Sequence, residues 1–372
     1  MKIAILHDWL EKRGGAEKVL EEIISLYPKA ELFVIADFMS ESDKKYYKHI
    51  KINTSFIQNL PFSRNHFRKY IFLMPLAVRL FNLKKYDLII SSSHSFVKNI
   101  NKKNNQLHIC YCYTPSRYTH IMTDEYIKDY RINNFILKFL LKIFLSNFRK
   151  YDIKYSKNVN FFISISDFIR RRIKKIYNKK STIIYPPVDI NQFKLKNKKK
   201  KYFLTSSRLV PYKKINLIIK AFNEMPEFKL IVCGDGPEYE KYKKIAKKNI
   251  VLKGWVNDLK LKNYLRNANA FVYAALEDFG ILPVESLASG TPVIALNSGG
   301  TKETINNSNN FCGVLFKKQS KDDIIAAVKL FQASRNLFKA KNCRLKSKKF
   351  SKEIFKKKLS TFIKKKCKKF SF

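Results

Sequence analysis

At 372 residues the chain is about twice the usual length of a single domain, which excludes one small module and allows a full-sized core in each of two domains. Hydrophobic residues at 45% and aromatic residues at 14% are ordinary globular values, so the 28% of charged residues does not signal disorder. Lys and Arg number 75 against 29 Asp and Glu, and the net charge of +46 implies attraction to a polyanion: nucleic acid, an anionic bilayer or phosphorylated ligands.

The chain opens on KIAILHDWL, which reads as a short buried strand. Met1 to His7 lacks the basic-then-apolar build of a signal peptide, and no window of about eighteen uncharged apolar residues occurs, so a cytosolic protein is expected. A loop with Arg13, Gly14 and Gly15 leads into AEKVLEEIISLY at helical spacing. Apolar runs ending in turn or polar residues recur at 32–36, 86–91, 107–113, 161–166, 203–207, 229–234, 269–275 and 291–297. Helical patterns separate most of them, which predicts an α/β fold with parallel sheets. Two stretches, from Leu60 to Leu83 and from Arg131 to Arg149, combine basic residues such as Lys138, Lys142 and Arg149 with dense apolar surface. Each reads either as a core helix or as an interfacial amphipathic one. Six cysteines are too sparse for a disulfide scaffold, and Cys110 and Cys112, on one face of an apparent strand, are expected to be buried thiols.

At Tyr185-Pro186-Pro187-Val188-Asp189 the pattern stops, and a lysine run from Lys196 to Lys201 precedes a fresh series. This predicts domains over 1–189 and 190–345, two doubly wound halves facing a shared cleft with ligands beyond the carboxyl ends of the strands. Residues 346–372 are expected to form one basic amphipathic helix docked through Phe350, Ile354, Phe355, Leu359, Phe362 and Ile363.

The segment ALEDFGILPVESLASGTPVIALNSGG, from Ala275, carries the most chemistry. A strand end, the loop Glu277 to Gly280 and a helix with Pro283 near its start place unpaired N–H groups where a phosphate would sit. Glu277 is read in the loop and Glu285 in the first helical turn; carboxylates there suit sugar hydroxyls better than phosphate. Taken singly, Glu285 is equally a dipole partner and Glu277 a solvated loop acid.

EDFGILPVE, with Glu277 and Glu285 separated by seven residues, resembles the signature of the family-four retaining glycosyltransferases of GT-B architecture. SRLVPYKK, GDGP, the Gly254-Trp255 segment, ISDFIRRRI and YPPVD are similar to further motifs of that family. HDWLEKRGGAEKVLEEI, FLMPLAVRLFNLKKYDLIISSSHSFVKNI and ICYCYTPSRYTH resemble a bacterial subgroup that builds O-antigen or capsule polysaccharide, many of them mannosyltransferases. The chain departs from that subgroup at Tyr113, where His is usual, and at His120-Ile121, near the place of a Trp-Asp pair.

The resemblance implies two Rossmann-like domains, the first binding acceptor and the second a nucleotide-sugar, GDP-mannose preferred over a UDP-sugar. It implies retention of configuration and no metal or cofactor. Arg208, Lys213, Glu277 and His94 would be catalytic. Gly14, Gly15, Gly234, Trp255, Phe279, Gly280, Ile281, Leu282 and Glu285 would bind the donor, and Tyr113 and Arg117 the acceptor. Physically, Arg208 offers a fork of donors and Lys213 a point charge for a diphosphate, and His94 suits sugar hydroxyls. Gly14 and Gly15 allow a backbone loop to approach a phosphate. No two aspartates stand two positions apart, so the Asp-x-Asp device for a metal-diphosphate is absent from the sequence. A lipid-linked or oligosaccharide acceptor would be met at an anionic membrane, on its cytoplasmic side. The competing readings are a basic nucleic-acid-binding protein, which lacks a recognisable module here, and an epimerase or phosphorylase on the same fold.

Overall fold

The apolar runs become the inner strands of two parallel sheets in a computed structural model, which describes residues 1–121, 134–305 and 311–370. The first sheet contains β1 (Ile3–His7), β2 (Glu31–Val34), β3 (Ile52–Thr54), β4 (Leu88–Ser93), β5 (Leu107–Cys112), β6 (Phe161–Ser164) and β7 (Ser181–Ile183). Their order is β3-β2-β1-β4-β5-β6-β7 and every pairing is parallel. The second contains β8 (Phe203–Ser206), β9 (Leu230–Cys233), β10 (Ile250–Leu252), β11 (Ala270–Tyr273), β12 (Val293–Leu296) and β13 (Gly313–Phe316), in the order β10-β9-β8-β11-β12-β13, again all parallel. Helices follow most strands, and both sheets are doubly wound.

Burial explains the strand composition. β4, β5, β8, β9, β11 and β12 are buried along their whole length, because helices cover both faces of a parallel sheet. Phe33, Phe67, Phe96 and Phe148 pack in the core of the first sheet, and Phe203, Phe222 and Phe331 in that of the second. All six cysteines are buried free thiols, Cys110 and Cys112 among them on β5.

The chain divides into Met1–Tyr185 with Phe355–Phe372, and Pro186–Ile354. The division therefore falls before Pro186 and not after Asp189, and the second unit runs past position 345. The expected single C-terminal helix is two, Ala340–Lys348 and Lys352–Lys369. The first belongs to the second unit, where the Arg344 guanidinium donates to the carbonyls of Ile190, Phe193 and Ala288 at 2.7, 2.9 and 2.6 Å. The second helix buries Phe355, Leu359, Ile363 and Cys367, one per turn, and sets Phe355 against Tyr111 and Lys356 against Glu22 of the first unit. Lys349, Phe350 and Ser351 separate the helices, and the Phe350 carbonyl accepts from Val188 N–H at 2.8 Å, outside any helical ladder.

Each strand order reverses direction once, between β1 and β4 and between β8 and β11. Loops leaving the carboxyl ends diverge at those points, and that is where open α/β sheets hold ligands.

Candidate active site

Ten of the candidate residues belong to the second unit, and its parallel strands put them all on the carboxyl edge of one sheet. Arg208 and Lys213 follow β8, Gly234 follows β9, Trp255 follows β10, and Glu277 to Glu285 follow β11. At the β8/β11 reversal Lys213 Nζ contacts Glu277 Oε1, which also accepts the Tyr273 hydroxyl at 2.8 Å. Both charges are half-buried, and the pair joins the two diverging loops. Lys214, directly after, has φ +56, a left-handed conformation that costs a β-carbon residue about 1 kcal/mol and ends the Pro211–Lys213 turn at the start of the Ile215–Asn223 helix. Arg208 is exposed, and among the described residues its guanidinium has no hydrogen-bond or ion-pair partner.

Gly280, φ +89, starts the Ile281–Ala288 helix without a side-chain cap, so the first N–H groups are not covered by the residue that usually covers them. Phe279 is buried against Phe350, ring centroids 5.5 Å apart, and anchors the loop. Glu285 is the fifth residue of that helix, in its second turn and not in its first as the sequence suggested, because the helix starts already at Ile281, two residues before Pro283. Trp255 is 74% exposed on the loop after β10.

Three glycine positions are dictated by packing. A β-carbon at Gly234 would lie 1.9 Å from the Ser207 carbonyl oxygen, and one at Gly300 would lie 2.3 Å from the Phe279 Cα. Gly299, φ +67, faces the Glu277 carbonyl in the same way, and the Gly300 N–H donates to that carbonyl at 2.7 Å. The loops carrying Arg208 and Glu277 are thus held by backbone that only glycine permits.

The first unit holds Gly14, Gly15, His94, Tyr113 and Arg117. Gly14 has ordinary extended backbone and caps the Gly15–Leu26 helix, its N–H donating to Glu17 at 2.9 Å. A β-carbon there would meet only the tip of the Glu17 side chain, so the fold does not require this glycine. His94 leaves the end of β4 across the β1/β4 reversal from Asp8. The fully buried Asp8 carboxylate accepts the N–H groups of His94, Ser95, Phe96 and Val97 at 2.6 to 3.0 Å. Burial opposes ionisation of Asp8, but His94, His7 and these N–H donors outweigh it and hold the carboxyl below its ordinary value. Burial also holds the His94 imidazole below its ordinary value, against the pull of Asp8, and Trp9 packs edge-on at 4.7 Å.

Tyr113 is buried and donates its hydroxyl to the Ala16 carbonyl at 2.9 Å, with Ser92 Oγ at 2.8 Å. It fixes the start of the Gly15–Leu26 helix. Arg117 opens a short helix to His120, whose Nε2 meets Asp152 at 2.8 Å. Asp152 also receives Tyr177 OH at 2.6 Å and Asn99 at 2.7 Å and pairs with buried Lys98 at 2.7 Å. This cluster ties the loop after β4 to the segment bearing Arg117. Asp8, Tyr273 and Asp152 were not singled out from the sequence. Asp8 and Tyr273 do stand at strand ends beside the reversals, which is the signal that points to them.

Residues 13–192 match the family model "Glycosyltransferase Family 4" and residues 188–350 match "Glycosyl transferases group 1". The O-antigen chain mannosyltransferase RfbU of Salmonella typhimurium is 30% identical over 167 residues, 42% of this chain and 46% of that protein. The alpha-1,3/1,6-mannosyltransferase ALG2 of Dictyostelium discoideum is 22% identical over 82% of this chain and 84% of its own. The chain spans 42%, 46% and 34% of the length of the first curated relatives it matches. Among solved structures, HepE of Anabaena in complex with UDP superposes with a TM-score of 0.70 at 17% identity, covering 98% of this chain and 100% of that one. Two adjoining glycosyltransferase models across residues 13–350 and a two-domain Rossmann-like GT-B fold place the chain: it belongs to the family-four glycosyltransferases.

Proposed function

We propose that the chain is a retaining, metal-independent hexosyltransferase that moves mannose from GDP-mannose to a lipid-linked or polysaccharide acceptor in surface-glycan assembly, at the cytoplasmic face of a membrane. The observation that carries this reading is the Lys213–Glu277 pair across the β8/β11 reversal, beside Arg208 and the uncapped helix start at Gly280. A diphosphate leaving group gains negative charge as the glycosidic bond breaks, and Arg208, Lys213 and the helix N–H groups offer fixed positive charge there without a metal or cofactor. Glu277, already an acceptor for Tyr273, would orient the sugar through its hydroxyls, and Glu285 would hold the ribose. In the first unit, His94 would reach the sugar, and Gly14 and Gly15 would leave room for the phosphate. Arg117 would bind acceptor, with Tyr113 acting behind it.

Mannose is favoured because RfbU and ALG2 are both mannosyltransferases by name. The second reading is a UDP-sugar donor, favoured by HepE, whose solved form holds UDP.

The test is release of nucleoside diphosphate from GDP-mannose and from UDP-hexoses by the purified chain and by Glu277→Ala. Release from GDP-mannose that falls at least about 100-fold in the variant, with an unchanged melting temperature, supports the proposal. Full release by Glu277→Ala, or none from any donor by the parent chain, overturns it.

A further inference from the structure

We propose that the first unit docks on an anionic lipid bilayer through a face made by the first turns of the Phe135–Ser156 helix and the segment from Phe62 to Leu80. The helix has two unequal halves. Leu145, Phe148, Asp152 and Ser156 are buried at spacings of three and four, so its C-terminal half seats one face on the unit. In its first turns Phe135 is 82% exposed, and Ile136, Phe139, Leu140 and Ile143 are also exposed. Scattered exposed leucines are ordinary on a soluble protein, but a contiguous set of large apolar side chains marks a contact surface.

The second segment extends the same surface. The Phe72 ring lies 4.2 Å from that of Phe144, the Tyr151 hydroxyl donates to the Pro75 carbonyl at 3.2 Å, and the Arg79 guanidinium stands 5.1 Å from the Tyr155 ring. These contacts set the segment beside the helix, and its own Phe62, Phe72, Leu76 and Leu80 are exposed, Phe62 by 82%. Residues 131–133, also within the stretch read as amphipathic, lie outside the described residues.

Charge selects the occupant. Neither 56–84 nor 135–151 contains an Asp or Glu, while exposed Arg64, Lys69, Arg79, Lys84, Lys142 and Lys150 carry positive charge. A second copy of a chain with net charge +46 would bring the same positive charge to this face. A nucleic acid would satisfy the lysines and leave the phenylalanines in water. An anionic bilayer takes both, with apolar side chains at the acyl boundary and long basic side chains reaching headgroup phosphates. The proposal takes its purpose from the lipid-linked-acceptor reading, but lipid binding is measured without turnover, so either can fail alone.

The experiment is flotation of the full chain with phosphatidylcholine vesicles, with and without phosphatidylglycerol. It compares the parent, Phe135→Ser/Phe139→Ser/Leu140→Ser, and Lys243→Glu/Lys247→Glu, which makes a charge change on the second unit. We expect at least about tenfold stronger binding with phosphatidylglycerol. The triple variant should lose at least about tenfold of it at an unchanged melting temperature, and the control pair should bind like the parent. Equal binding with or without phosphatidylglycerol, undiminished binding by the triple variant, or an equal loss in the control pair overturns the proposal. A dimer that the triple variant dissolves while vesicle binding persists assigns the face to a second copy and also overturns it.

Discussion

Residue by residue, the candidate site separates side chains that the fold uses from side chains that it does not. Arg208 is exposed and unpartnered among the described residues, so Arg208→Ala should change unfolding free energy by less than about 0.5 kcal/mol. Its loss of transfer, expected to be on the order of 100-fold, is then a loss of chemistry; urea titration beside a turnover assay distinguishes the two, and parent-like turnover counts against Arg208. The glycines divide in the same way. Gly14→Ala should cost under about 1 kcal/mol, the difference between those residues as N-caps. Gly234→Ala drives a β-carbon onto a backbone oxygen at φ +131 and should cost more than about 3 kcal/mol. If Gly14→Ala nonetheless depresses donor binding in calorimetry, the missing side chain at that position serves a ligand. His94 is held neutral by burial, so a reaction that uses the neutral ring should show no acid limb until pH falls below its ordinary value of about 6.5. An acid limb above that pH would contradict this assignment.

At the level of elements, the loop from β4 to β5 is held from both sides, by Asp8 at its start and by the Lys98–Asp152–His120 cluster behind it. Asp152→Asn leaves Lys98 charged and buried without its partner and should cost about 3 to 5 kcal/mol in urea unfolding; a cost below 1 kcal/mol would mean the pair is not buried in solution. On β5, His108 is buried with Nε2 2.8 Å from Ser91 Oγ, and burial pushes its pKa down to about 3. The unfolded chain takes up a proton near pH 6.5 that the folded chain refuses, so this group lowers stability progressively as pH falls from about 6.5 towards 3. His108→Gln, which removes the titration, should flatten stability against pH in that window; an unchanged slope would assign it to other groups. The elements also show what sequence pattern can reveal. The runs read as strands became inner strands because both their faces are largely buried and most of their residues are apolar or small, with His7 and His108 as buried polar exceptions. β3, β7, β10 and β13 were not recognised, and all four are sheet edges of three or four residues with partly exposed positions. β3, β7 and β10, at three residues each, are too short to stand out as a run, whereas β13, GVLF, is apolar throughout and differs from the inner strands only in its edge position.

For the whole molecule, the two-unit plan was legible because a break in periodicity at the YPPVD segment precedes a second series of strands. The return of Phe355–Phe372 to the first unit was only half legible: Phe355, Leu359 and Ile363 announce a buried stripe, but nothing in it names the surface that buries it. That the candidate residues of the second unit would share one sheet edge was legible for the opposite reason, since parallel strands send every post-strand loop to one edge and the motifs sit on those loops. Glu285 was misplaced by a turn because helix starts are set by backbone geometry at Gly280 that spacing alone does not report. The net charge of +46 makes salt a discriminating variable, since contacts with polyanions are screened steeply while a shaped nucleotide site persists. Thermal unfolding at elevated salt with GDP, GDP-mannose, UDP and UDP-hexoses, against heparin and a short oligonucleotide, therefore tests the central claim most directly. A specific site filled to about 100 times its dissociation constant adds about 2.7 kcal/mol. Stabilisation by GDP and GDP-mannose, absent with the polyanions and weakened in Arg208→Ala, is the predicted result. Stabilisation by heparin or oligonucleotide with no response to any nucleotide would contradict a nucleotide-sugar site and leave the charge of the chain as its defining property.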